Sequence, residues 1–346
     1  MSAEPVAGPS PAMGPMLEVR DLHVTYPTAS GPLPAVRGVD LTLQRGETLG
    51  IAGESGCGKS TLVTALLRLL PPGASMSGEV LLEGEDVLAM KPGRLRAVRW
   101  AGAAIVFQGA MHALNPVRTV RWQIGEAIEL HATGGDRARA AIDKRVNRLM
   151  DQVGLPQRRA DSYPHELSGG QRQRVMIAMA LACGPSLLIA DEPTTALDVM
   201  VQAQVLALLT ELRAELNLSM LLITHDLALL ADACDRIAVM YAGRVVEDGP
   251  AAELMTSGRH PYTAALAAAF PRIGDSASRK SPRGLGGDPP DPQQLPTGCP
   301  FHPRCPVALP ECPQTSVELW PAGPGRRAAC VHVLDRPSDA DHGVPA

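Results

Sequence analysis

The run Gly53-Glu54-Ser55-Gly56-Cys57-Gly58-Lys59-Ser60-Thr61 fits the spacing G-x-x-x-x-G-K-[ST]. Glycines at those positions let successive backbone N–H groups converge on phosphate oxygens, and a helix starting near Lys59 adds its positive end. The Lys59 ammonium would reach the β- and γ-phosphates, and the Ser60 hydroxyl would sit on Mg²⁺. Far downstream, Leu187-Leu188-Ile189-Ala190-Asp191-Glu192 is an apolar run closed by two carboxylates. Asp191 would hold Mg²⁺ through its hydration shell, and Glu192 would orient or deprotonate an attacking water. Each signal alone has a plain alternative: a glycine-rich turn that binds nothing, or a solvated loop start. Together they point to phosphoanhydride hydrolysis. Cys57 occupies a variable position of the loop and reads as structural, although alkylation there would block nucleotide entry.

Those residues need a scaffold, and the flanking pattern supplies one. Leu17–Tyr26 and Ala35–Leu43 read as strands joined by a Gly/Pro turn, and Glu47–Ala52 as a short strand leading into the glycine loop. A helix is predicted over Lys59–Leu70, which completes a mononucleotide-binding α/β unit. Ala103–Phe107 is a further apolar strand. From Val120 to Val153 the period becomes helical, with Ile124, Ile128, Val146 and Leu149 on one face, as expected of an inserted helical subdomain over about 110–185. Strands return at Leu187–Ala190, Met220–Ile223 and Ile237–Met240, and their unbroken apolar character suits parallel strands covered on both faces. Gly243–Gly249 reads as a terminal strand and turn. The fold class expected is therefore α/β. Its division is a disordered N-terminus over 1–16, one nucleotide-binding domain over 17–271, a Pro/Gly/Ser-rich linker over 272–296, and a small cysteine-bearing module over 297–346.

Composition narrows the partners. The 346 residues carry a formal net charge of -4 with both signs interspersed, whereas a duplex-DNA binder would show a basic excess. Aromatics make up 3%, too few for a base-stacking surface. Nucleic acid is thus not an expected partner. No run of eighteen apolar residues occurs, and Met1–Pro15 lacks the basic start and apolar block of a secretory signal. A cytosolic, reducing setting follows, in which seven cysteines read as thiols or metal ligands rather than disulfides.

Tyr163-Pro164-His165-Glu166-Leu167-Ser168-Gly169-Gly170-Gln171-Arg172-Gln173-Arg174 stands between the phosphate loop and the acidic strand. By itself, Ser168-Gly169-Gly170 would cap an apolar helix. In this order it resembles the LSGGQ signature of ABC ATPases, where the signature of one subunit closes over ATP held by the other. The resemblance extends over Leu17–Pro271. Tyr26 is similar to the aromatic that stacks on adenine, with a core role as the alternative. Gln108 resembles the Q-loop residue that touches Mg²⁺ and water. Thr195-Ala196-Leu197-Asp198 resembles the D-loop at the dimer seam, and His225 the switch histidine at the γ-phosphate.

Several segments resemble the oligopeptide/dipeptide/nickel importer ATPases within that family. They are Leu114-Asn115-Pro116, Tyr163–Leu167, Thr195–Val199, Val201-Gln202-Ala203-Gln204, His260-Pro261-Tyr262-Thr263, and Gly298-Cys299-Pro300-Phe301-His302-Pro303-Arg304-Cys305-Pro306. Gly109-Ala110 departs from the Asp/Glu-Pro common after the Q-loop glutamine. The resemblance implies ATP and Mg²⁺ as ligands and a second ATPase subunit, either a paralogue or another copy. It further implies two transmembrane permease subunits, an extracytoplasmic solute-binding protein, and a peripheral place on the cytoplasmic face of the membrane. A soluble ABC ATPase of translation or DNA repair is the rival; it would carry two such domains or long insertions, and neither is visible.

The tail cysteines Cys299, Cys305, Cys312 and Cys330 are separated by five, six and seventeen residues, unlike the paired C-x-x-C of a zinc ribbon. Four thiolates suit Zn²⁺ or an iron–sulfur cluster, and some members of the resembled group carry [4Fe-4S] in this tail. Unligated thiols are the third option. His302 and His332 are spare ligands or surface residues.

Overall fold

A computed structural model describes residues 14–109, 113–131, 138–195, 197–269, 285–316 and 318–334. Ala110, Ala196, most of the 272–296 segment and most of Met1–Pro15 lie outside the described residues. Two sheets organise the rest. The first is antiparallel, in the order β2-β1-β4-β5, with β1 over Leu17–Thr28, β2 over Gly31–Leu43, β4 over Ser75–Leu82 and β5 over Glu85–Asp86. The second has eight strands, in the order β11-β12-β10-β9-β3-β8-β7-β6. Its parallel part comprises β3 (Thr48–Ala52), β6 (Ala103–Val106), β7 (Leu187–Asp191), β8 (Ser219–Ile223) and β9 (Arg236–Tyr241).

Every residue of β3, β7 and β8 is buried, which is why their sequences lack polar alternation. Helix α1 (Lys59–Leu66) shares one core cluster with the antiparallel sheet and with Leu187 and Ile189, while α6 (Val199–Leu216), α7 (Leu227–Ala233), α3 (Val120–His131), α4 (Arg139–Gln152) and α5 (Gly169–Ala180) share the other with Leu188 and Ala190. The remaining α-helices among the described residues are α2 (Pro92–Ala101), α8 (Ala251–Ser257), α9 (Pro261–Ala269) and the four-residue α10 (Val331–Leu334). Ile124, Ile128, Val146 and Leu149, the apolar positions of the predicted helical stretch, are all buried in one core cluster. That stretch is the two helices α3 and α4, while α1 ends four residues before the predicted Leu70. Arg68 is in a left-handed conformation and Pro71 follows, so the helix has no route onward.

The predicted terminal strand is β10 (Arg244–Pro250), and it is not terminal. It pairs antiparallel with β9 and with β12 (Arg326–Ala328), which in turn pairs with β11 (Trp320–Gly323). The cysteine-bearing segment therefore extends the central sheet. Alternation could not reveal this pairing, because β11 and β12 are four and three residues long. A buried ion pair fixes the junction: Arg326 Nη2 lies 3.0 Å from Glu247 Oε1, with side chains 3% and 0% exposed. The Glu247 carboxylate also accepts hydrogen bonds from the backbone N–H groups of Arg259 and His260, both at 2.8 Å. Phe301 packs edge-on against Tyr241 and Tyr262 at 5.3 and 5.4 Å between ring centroids.

Candidate nucleotide site

At the C-terminal end of β3 the chain turns through Gly53, Gly56 and Gly58, all with positive φ, before α1 begins at Lys59. At Gly58 (φ 106°) a Cβ would strike the Ala35 carbonyl oxygen, so glycine is required by conformation and by space. Gly58 caps α1 with no side-chain hydrogen bond, which leaves the first amides of the helix for a ligand. The buried Lys59 folds back: Nζ donates to the carbonyls of Gly53 (2.7 Å) and Glu54 (2.9 Å). Ser55, Gly56, Ser60 and Thr61 complete a loop that floors a cleft of about 440 Å³. Cys57 is 7% exposed, and burial raises its thiol pKa, so it is a poor target for alkylation.

Tyr26 on β1 forms one wall of the cleft, with its hydroxyl 3.3 Å from Thr61 Oγ1. Gln108, just beyond β6, and Glu192, just beyond β7, also line the cleft. Gln108 Nε2 donates to Glu192 Oε2 at 2.7 Å, and Thr195 Oγ1 donates to the same oxygen at 2.9 Å. His225 Nδ1 stands 3.4 Å from Glu192 Oε1. Glu192 adopts φ 46°, a left-handed conformation that a non-glycine residue enters at a cost of about 1–3 kcal/mol. Asp191 is 3% exposed, and its Oδ1 has no hydrogen-bond partner. Burial raises its pKa and a hydrogen bond with the Ser60 side chain opposes that rise. A buried carboxylate oxygen without a partner, beside a loop hydroxyl, is a donor set that fits Mg²⁺.

Ser168 begins α5 as a capping box: its Oγ accepts from Gln171 N at 3.3 Å, and Gln171 Oε1 accepts from Ser168 N at 3.1 Å. The capping alternative is thus realised together with whatever the segment does for a ligand. A Cβ on Gly170 would lie 2.7 Å from Val201 Cγ1, so Gly169-Gly170 also permits close packing on α6. Asp198 caps α6 through Val201 N at 3.0 Å. Neither Ser168–Gln171 nor Asp198 lines the cleft that holds Lys59. One chain therefore brings together Tyr26, the phosphate loop, Gln108, Asp191, Glu192 and His225, and leaves the signature outside.

Sequence reasoning missed a further part of the cleft's lining. Pro289, Pro290 and Pro292 belong to it, and Gln293 pins them by accepting from Ser30 Oγ and donating to Thr28 Oγ1, both at 2.9 Å. Tyr262 Oη accepts from Glu54 N at 2.8 Å, and Arg304 grips the Glu54 carboxylate at 2.7 and 2.9 Å. The His260-Pro261-Tyr262 run was the available signal, but nothing local indicates where it docks.

Cys299, Cys305, Cys312 and Cys330 surround a cavity of about 10 Å³, with His260, His302 and His332 also at its edge. Burial and mutual repulsion raise the Cys330 thiol to about 11. Among the described residues, no group of three or more His, Cys, Asp or Glu is arranged to hold a metal ion. The space there that can take the centre of a water is about that of one molecule. His302 Nδ1 instead meets Cys299 O at 2.9 Å and His332 Nε2 meets Val307 O at 2.8 Å.

Comparison with known proteins agrees with this layout. The family model for ABC transporters matches residues 36–195, and that for the oligopeptide/dipeptide transporter C-terminal region matches residues 246–312. The oligopeptide transport ATP-binding protein OppD of Salmonella typhimurium is 44% identical over 332 residues, covering 95% of this chain and 97% of that protein. The dipeptide transport ATP-binding protein DppD of Bacillus subtilis is 43% identical over 304 residues, or 87% of this chain and 89% of its own. The dimeric structure of MJ0796, a bacterial ABC transporter cassette, superposes with a TM-score of 0.62 at 29% identity, covering 68% of this chain and 99% of that one. The chain belongs to the ABC transporter ATP-binding proteins, in the oligopeptide/dipeptide family.

Proposed function

We infer that this chain is the ATP-binding and ATP-hydrolysing subunit that powers an ABC importer of peptides or similar small solutes. The observation that carries the reading is the placement of Glu192, held by Gln108 and Thr195, in the same cleft as the glycine loop and Lys59. Loop amides between Ser55 and Thr61 and the Lys59 ammonium would bind the β- and γ-phosphates of ATP while Tyr26 stacks on its adenine. Ser60, Gln108 and Asp191 would hold Mg²⁺, which when bound offsets the polyphosphate charge. Glu192 would accept a proton from the attacking water, with His225 beside it toward the γ-phosphate.

The signature residues Ser168, Gly169, Gly170 and Gln171 would complete the site of a second ATPase subunit, a paralogue or another copy. Their position outside this chain's own cleft supports that reading. Val199 and Met200, 73% and 71% exposed beside Asp198, support a subunit seam there. Among the described residues no helix is long and apolar enough to cross a membrane, so passage of the solute needs permease subunits. The reading places two of these above the ATPase pair, fed by an extracytoplasmic solute-binding protein, with the pair peripheral on the cytoplasmic face. The names of the relatives support peptide as the solute. For the tail, four thiols are the support for a [4Fe-4S] cluster or Zn²⁺.

Replacing Glu192 by Gln in both ATPase subunits of the assembled transporter tests the core of this assignment. ATP binding should persist while hydrolysis falls by about 10²-fold or more, the range for a lost general base. Near-normal turnover would overturn the role of Glu192.

A further inference from the structure

The Arg304 side chain comes from the cysteine segment, 250 residues beyond the loop it touches. Nη1 donates to Glu54 Oε2 at 2.7 Å and Nη2 to Glu54 Oε1 at 2.9 Å, a two-pronged carboxylate grip. Nη1 also reaches the Tyr241 hydroxyl at 3.3 Å, and Nε donates to Gly286 O at 2.9 Å. The guanidinium lies 5.9 Å from the ring centroids of both Tyr241 and Phe301, and the side chain is 7% exposed. Four hydrogen bonds and two rings thus fix one cation against one residue of the phosphate loop.

Glu54 is held at its backbone too. Its N–H donates to the Tyr262 hydroxyl, and its carbonyl accepts from Lys59 Nζ. Its carboxylate lines the same cleft as Gly56, Gly58, Lys59 and Ser60. A bare carboxylate there would repel a polyanion entering that cleft, because like charges a few ångströms apart in a partly desolvated site cost several-fold in affinity or more.

We propose that Arg304 is a positioning residue for the nucleotide site: it neutralises and orients Glu54, so that the phosphate loop meets a nucleoside triphosphate preshaped and without a repelling charge. The proposal rests on reading the cleft as the ATP site. Its plain rival is that Arg304 only docks the tail. The two differ in what they change: loss of a docking contact lowers stability and leaves ATP affinity unmoved, whereas loss of a charge-neutralising contact lowers ATP affinity as long as position 54 carries a carboxylate.

The test is an equilibrium titration of the full chain with ATP and Mg²⁺, run on Arg304→Ala, Glu54→Gln and the double variant. Arg304→Ala should raise the dissociation constant about tenfold, the scale of one lost charge-assisted contact. In the Glu54→Gln background the same substitution should cost less than about threefold. In the assembled transporter, Arg304→Ala should raise KM by a similar factor with kcat changed far less. Should Arg304→Ala not fold, Arg304→Gln, which keeps part of the aliphatic stem and a polar end but loses the charge, carries the same comparison. Equal losses in both backgrounds, or no loss in either, overturn the proposal while the wild-type chain binds ATP. Failure of the wild-type chain to bind ATP in the same titration would bring down the reading of the cleft itself.

Discussion

The phosphate side and the C-terminal side of one cleft are built in opposite ways. On the phosphate side, the six consecutive residues between β3 and α1, with the first turn of α1, would make the contacts, and backbone conformation shapes them: positive φ at Gly53, Gly56 and Gly58, and an uncapped helix start. On the other side, Tyr262, Pro289, Pro290, Pro292 and Arg304 arrive from distant positions and are held by side-chain contacts and a sheet extension. A local loop keeps its shape wherever the chain around it is folded. A wall made of long-range contacts is only as firm as its anchors, so its weak points lie away from the ligand.

Removing an anchor should therefore have the largest effect. Arg326→Ala leaves the Glu247 carboxylate buried with two backbone donors and no cation. The expected loss is about 3–5 kcal/mol, the range for a broken buried pair. Denaturant unfolding of the full chain would measure it. A loss below about 1 kcal/mol would mean that the tail is an appendage and not part of the wall.

Lys59→Ala attacks the local side instead. ATP affinity should fall about 10- to 100-fold, as expected for one lost charged hydrogen-bonding group, with little change in the unfolding midpoint. A large drop in stability would show that the loop is not self-supporting and would erase the contrast.

The smallest effect concerns His260, which sits between the two sides. It is 1% exposed, its Nδ1 accepts from Tyr262 N at 3.0 Å, and burial lowers its pKa to about 3. The unfolded chain takes up a proton near pH 6.5 that the folded chain refuses. Stability is then fully present above pH 6.5 and declines as pH falls below it, by about 1 kcal/mol between pH 6.5 and 5.5. Unfolding midpoints of wild type and His260→Gln across that window should diverge in slope. Parallel slopes would mean that His260 is already charged in the fold.

Much was legible because the sequence encodes it locally. The glycine loop, the apolar strands β3, β7 and β8, the acidic pair Asp191-Glu192 and the capping box of Ser168 each depend on residues within about one turn or strand of one another. Backbone sterics and burial period fix such features before any tertiary contact forms. The grip of Arg304 on Glu54, the Gln293 pin on the β1–β2 turn, and the β10–β12 pairing had no such signal. An arginine beside a cysteine looks the same in a solvated loop and in a buried fork. Its partner is chosen by where the sheet ends and which aromatic rings close over it. The sequence determined the phosphate chemistry; folding alone decided that the cysteine segment would stand against the loop that performs it, because a long-range ion pair exists only once both of its ends have been brought out of water together.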